Sequence, residues 1–139
     1  RTRAQGGCAA MSVVNEDVAR TILSRLAAPD YTLDVDTTVI ESEKKEAAWT
    51  YKKVKGYQPM LGYLAENGLC LVHEFREGNI AAQTGAVPFL ERCQALCRKI
   101  ARLRSDSAFY RSDVIRWCQE RGVEFTITAD QTLGMKEVI

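Results

Sequence analysis

The chain has 139 residues, with 19 Lys+Arg against 18 Asp+Glu for a formal net charge of +1, and is 46% hydrophobic and 27% charged. An intrinsically disordered chain would carry fewer apolar residues and a larger net charge, so one folded domain around a single core is expected. Near-neutrality excludes a uniformly cationic coat, which leaves local clusters as the means of gripping nucleic acid.

Residues 1–10 (RTRAQGGCAA) are small and basic, show no periodicity and read as a tail. Asn15 then precedes Glu16 and Asp17, with Val18, Ile22, Leu23 and Leu26 at helical spacing, which predicts a short amphipathic helix over 15–27 that stops before Pro29. From Tyr31 the period becomes two. Leu33, Val35, Thr37 and Val39 alternate with Asp34, Asp36, Thr38 and Ile40, the pattern of a strand. Residues 41–56 set Lys44, Lys45, Lys52, Lys53 and Lys55 against Glu41, Glu43 and Glu46, a long basic loop or ribbon tip ending at Gly56. Two apolar runs, 57–64 and 69–76, flank Ala65-Glu66-Asn67-Gly68, and Asn-Gly predicts an antiparallel hairpin.

Beyond the turn at Glu77-Gly78-Asn79, the residues Ala86, Phe89, Leu90, Cys93, Leu96, Cys97 and Ile100 recur at three and four, a helix of about four turns with Pro88 near its first turn. Residues 100–105 (IARLRS) form a strand delivering Asp106. Residues 111–121 form a helix that stops at Gly122, and 124–128 (EFTIT) a last strand. No internal repeat is visible.

A three-strand meander followed by helix, strand, helix and strand is the layout of the ribonuclease H-like α/β fold, whose mixed sheet sets the first strand beside the fourth. Asp36 and Asp106, 70 residues apart, would then meet. Two carboxylates held together repel and call for a cation, and Mg²⁺ or Mn²⁺ suits one or two carboxylates completed by phosphate and water oxygens. Such ions serve phosphodiester chemistry by activating the attacking oxygen and stabilising the leaving one.

The segments LDVDTT (33–38), KGYQPMLGYL (55–64) and LRSDSAFY (103–110) resemble the catalytic domain of bacterial insertion-sequence transposases of the DDE class, over roughly residues 30–130. The resemblance implies metal-dependent DNA cleavage and strand transfer on transposon ends. It also implies Asp36 and Asp106 as catalytic, metal-holding residues, a structural role for Tyr57 and Pro59, and a homodimer in the full-length protein. It further implies a third acid, a Glu on a helix beyond the last strand. Glu137 lies too close to that strand to supply it, so residues 30–139 read as a partial, truncated catalytic domain preceded by the tail and short helix of residues 1–29.

Three function classes follow: a transposase fragment, a stand-alone nuclease of the same fold, and a non-catalytic DNA- or protein-binding remnant. DVDTT also fits the DxDx(T/V) motif of haloacid dehalogenase-like phosphatases, but that motif expects a helix soon afterwards, a parallel sheet and a Gly-containing acidic pair, none of which the sequence supplies. Lys44, Lys45, Lys52, Lys53 and Lys55, interleaved with Trp49, Tyr51 and Tyr57, either grip phosphates and stack on a base or form a solvated ribbon with its rings folded against the sheet. In the second basic run, Arg92 to Arg104, Arg104 is the candidate phosphate contact. Asp34 reads as a solvated or supporting carboxylate.

Cys8, Cys70, Cys93, Cys97 and Cys118 form an odd, irregular set without a secretory signal, so free thiols in a reducing cytosol, near a bacterial nucleoid, are expected. Cys93 and Cys97 with His73 fall short of the four ligands of structural zinc and read as packing residues. No apolar run approaches the ~18 residues that span a bilayer.

Overall fold

The computed structural model describes residues 3–129, with side chains from Gly7 onward. Its main sheet comprises β1 (Tyr31–Thr37), β5 (Met60–Leu64), β6 (Cys70–Glu74), β7 (Ile100–Ser105) and β8 (Glu124–Ile127), in the order β6-β5-β1-β7-β8. The Asn67-Gly68 hairpin pairs β5 antiparallel to β6, and β5 pairs antiparallel to β1. Beyond β1 the pairing is parallel, to β7 and then to β8. This is the mixed sheet the sequence predicts, with the first strand central beside the fourth. The antiparallel hairpin and the short extended segments after DVDTT also remove the dehalogenase-like alternative.

Helix α2 (Ala86–Leu96) carries Phe89, Leu90 and Cys93 into the core, and Pro88 occupies its first turn, where the missing N–H costs nothing. It is a turn shorter than the periodicity suggests, because Cys97 is already extended (φ −127°, ψ 90°) and Ile100 opens β7. Helix α3 (Ser112–Arg121) buries Val114, Trp117 and Cys118 and ends at Gly122. Leu33, Val35 and Leu103 are at most 2% exposed and share this core with the two helices. Cys93, Cys97 and Cys118 are buried and free, the packing role expected of the first two, and burial pushes the Cys118 thiol up to about 11.

The N-terminal segment departs from expectation. Instead of a tail and a helix over 15–27, one helix, α1, runs from Arg3 to Leu23. Gly6 and Gly7 hide it from propensity, but tertiary contacts hold it against β6. The Ser12 hydroxyl donates to the His73 carbonyl, and the Asn15 amide to those of Cys70 and Leu71. Glu16 pairs with Arg92 of α2 at 2.6 Å, and Ala19 is fully buried. The helix thus caps carbonyls of an edge strand that would otherwise be open to pairing.

At Gly62 the sheet passes close to α2. A Cβ there would lie 3.0 Å from Cys93 Sγ and 3.1 Å from a Phe89 ring carbon. Gly62→Ala should therefore cost about 1–3 kcal/mol, the usual penalty for overpacking, measured as a lowered urea midpoint. An unchanged midpoint would show that the helix can back away freely.

The hairpin turn is tied to β1 by Glu66, whose carboxylate accepts the Thr32 N–H at 2.8 and 3.0 Å. Partial burial pushes this carboxyl up, but hydrogen bonds from its own backbone and from Thr32, with Arg102 nearby, outweigh burial and hold it below the ordinary value. Its contribution is present above the unfolded pKa and disappears as pH falls through the lower folded one. Glu66→Gln should cost about 1 kcal/mol at neutral pH, with the gap to wild type closing below about pH 4. A gap that stays constant from neutral to acid pH in urea unfolding would contradict this role.

Candidate active site

The site is built by register. In the parallel pair, Leu33 lies opposite Leu103, Asp34 opposite Arg104 and Val35 opposite Ser105. Side chains alternate along a strand, so Leu33, Val35 and their partners face the helices, while Asp34 and Arg104 face the other side. One residue further, β1 continues through Asp36, and Asp106 keeps extended backbone (φ −79°, ψ −177°). Each aspartate immediately follows the last pair of the ladder, Val35–Ser105, so alternation along strands about 4.8 Å apart directs both to the same face. Both are exposed.

Local hydrogen bonds orient each carboxylate. Asp36 Oδ1 accepts the Thr37 N–H at 2.7 Å. Asp106 caps the single 3₁₀ turn Ser107–Phe109, its Oδ1 accepting the Ala108 N–H at 3.0 Å. Neither forms an ion pair among the described residues. Two exposed carboxylates on one face, each with one oxygen anchored and no arginine or lysine neutralising it, are a donor set suited to a hard divalent cation that takes its remaining ligands from water and phosphate. No cluster of three or more His, Cys, Asp or Glu placed for a metal occurs among the described residues. A third acid is therefore not found there, and Glu137 lies outside them.

The second basic run is largely neutralised. Arg104 is held by Asp34 through two bonds of 2.6 Å, a bidentate pair that raises its pKa further. Arg102 pairs with Asp30 at 2.7 Å, Arg92 with Glu16, and Lys99 donates to the Ala28 carbonyl. Arg104 thus lies one row from the aspartates on their face, but its guanidinium is engaged by the Asp34 carboxylate, a partner visible only once the register is known. His73 sits on β6 and Glu74 contacts Arg92, so neither joins Cys93 and Cys97 in a metal cluster.

The basic segment after β1 is more ordered than a loop. β2 (Ile40–Glu41), β4 (Lys55–Tyr57) and β3 (Ala48–Trp49) form a small antiparallel sheet leading away from the aspartate end of β1. Gly56 is central to it because a Cβ there would stand 2.2 Å from the Ile40 carbonyl oxygen. Lys44, Lys45, Lys52, Lys53 and Lys55 are all exposed. The aromatic residues divide. Tyr57 packs against Phe75 with centroids 4.6 Å apart, whereas Trp49 and Tyr51 are 64% and 71% exposed.

Sequence reasoning overlooked Arg76. It is buried and donates to the carbonyls of Gln58 (2.9 Å), Thr84 (2.8 Å) and Ala82 (3.1 Å), which pins the segment before α2 onto the β4–β5 junction. An arginine closing an apolar strand run was the available signal. It is one of the residues fixing where the small sheet leaves the main one.

No curated protein matches the chain in sequence. Solved structures match its fold. A simian T-cell lymphotropic virus intasome in complex with PP2A regulatory subunit B56 gamma superposes with a TM-score of 0.54 at 12% identity, over 82% of this chain and 39% of that one. The HTLV-2 integrase catalytic core domain in complex with magnesium gives a TM-score of 0.52 at 12% identity, over 79% and 64%. The chain thus spans less than two thirds of either, and at these identities the likeness establishes the ribonuclease H-like fold. The family model for the transposase DDE domain group 1 matches residues 7–139, and the chain belongs to that family.

Proposed function

We propose that this chain is the core of a DNA transposase, acting by metal-dependent phosphodiester hydrolysis and strand transfer at transposon ends. In this reading Asp36 and Asp106 hold Mg²⁺ or Mn²⁺ between them. The observation that carries it is the β1–β7 register, whose last pair, Val35 opposite Ser105, is followed on each strand by one of two aspartates 70 positions apart in sequence. Family membership and the integrase-like fold support it.

Each part of the chain has a role in this scheme. The 3₁₀ turn after Asp106 and the Thr37 N–H fix one oxygen of each carboxylate and leave the other for the cation. Bound there, divalent metal would lower the pKa of an attacking water or hydroxyl and offset charge on the leaving oxygen. The lysines of the small sheet supply a positive surface beside the acids, which attracts the DNA backbone without reading its sequence. Two of the family's three acids lie among the described residues, so weak metal affinity and little cleavage by the isolated chain are expected, with a bacterial, nucleoid-associated location and a homodimer in the full-length protein. A non-catalytic DNA-binding remnant is the second reading, favoured by the lack of a three-carboxylate cluster among those residues.

Calorimetric titration with Mn²⁺ separates the two. The wild-type chain should bind weakly, while Asp36→Asn and Asp106→Asn should each abolish the signal with folding intact. Isotherms identical to wild type would remove the aspartates from the site. The logarithm of the DNA binding constant should fall linearly with log salt concentration, with a slope near −0.9 per phosphate contact, and Lys44→Ala with Lys45→Ala should flatten that slope by up to about two. Salt-independent binding would contradict the electrostatic surface.

A further inference from the structure

Thr50 is 6% exposed and anchors the turn between β3 and β4: its N–H and hydroxyl both donate to the Val54 carbonyl at 2.9 Å, and its carbonyl accepts the Lys53 N–H. Because Thr50 points inward, Trp49 and Tyr51 on either side of it point outward. Each ring has a lysine over it. Lys55, the cross-strand partner of Trp49, places Nζ 5.9 Å from that ring's centroid, and Lys52 places Nζ 5.8 Å from that of Tyr51. The neighbouring Tyr57 shows that this sheet packs a ring away when the fold needs one. Trp49 and Tyr51 contribute nothing comparable to the core and remain largely exposed.

We propose that Trp49 and Tyr51 form a stacking platform for unpaired bases of a DNA strand, with Lys52 and Lys55 holding the adjacent phosphates. The proposal rests on the DNA-acting reading above for the identity of the strand. A duplex offers this surface only phosphates, because its base faces are already stacked. An acidic peptide would satisfy the lysines but not the rings. An unpaired strand satisfies both, since every base has a π-face and each nucleotide carries a negative charge. The location fits as well. Ile40 lies four residues past Asp36, at most about 13 Å of extended chain, and β3 is two strand spacings, about 10 Å, across from β2. A strand with its phosphate at the acids reaches the platform within several nucleotides.

Trp49 also supplies the readout, because Trp117, the other tryptophan, is 2% exposed. In metal-free buffer at low salt, an oligothymidylate of about 12 nucleotides should quench the exposed tryptophan emission and bind more tightly than a duplex of equal length. Trp49→Ala and Tyr51→Ala should each weaken oligothymidylate binding about tenfold while changing duplex binding less than twofold. Trp49→Phe should retain most of the affinity. Lys52→Ala with Lys55→Ala should weaken both ligands. Unchanged Trp117 emission reports that the variants stay folded. Oligothymidylate binding that survives both aromatic substitutions, single-strand and duplex affinities that fall together, or no binding of oligothymidylate at low salt would each overturn the platform. These binding measurements contain no metal, so failure of the platform leaves the metal-site reading standing and is distinguished from its failure by the Mn²⁺ titration.

Discussion

The parallel pairing of β1 with β7 is the constraint on which the rest depends. It closes the core, because Leu33 and Val35 meet Leu103 and Ser105 on the side covered by α2 and α3. The same ladder, continued by one residue, sets Asp36 and Asp106 side by side on the opposite face. A slip of one residue would turn one aspartate inward and an apolar side chain outward. Burial therefore enforces the site: the apolar contacts that stabilise the sheet also fix which face the carboxylates share. The α2–Gly62 contact and the Glu66 tie to Thr32 secure the same strand from its other neighbour.

Around that ladder, charge is sorted by partner. Arg92, Arg102 and Arg104 are engaged with Glu16, Asp30 and Asp34, so the basic run leading to Asp106 organises the protein's own surface. The lysines of the small sheet have no such carboxylate partners among the described residues and remain exposed. Arg104 with Asp34 is the paired arginine on the aspartates' own face, and the unpaired lysines belong to the small sheet that follows β1. A nearly neutral chain can thus present a local positive surface without a general affinity for polyanions.

Much of this was legible in the sequence because local signals agreed with the fold. Asn67-Gly68 marks the hairpin, IARLRS is β7 to the residue, and alternation around Asp34 and Asp36 marks a strand with one polar face. The order of elements then implied the adjacency of Asp36 and Asp106. What could not be read was set by long-range contacts. Helix α1 begins at Arg3 although Gly6 and Gly7 disfavour it, because Ser12, Asn15 and Glu16 find partners on β6 and α2. From sequence the small sheet reads only as a basic loop or ribbon tip, because its strands are two or three residues long and depend on Gly56 lying against the Ile40 carbonyl. The engagement of Arg104 by Asp34 follows from register alone, and no sequence window contains both residues.

The central claim, that one divalent ion is shared by the ends of two strands, is tested most directly by paramagnetic broadening of backbone amide resonances on adding Mn²⁺ to the isotopically labelled chain. The account predicts that Thr37, on the β1 side, and Ser107 and Ala108, on the β7 side, broaden together along a single saturation curve. Broadening confined to one strand end, or two curves with different midpoints, would show that the aspartates do not share an ion and would contradict it.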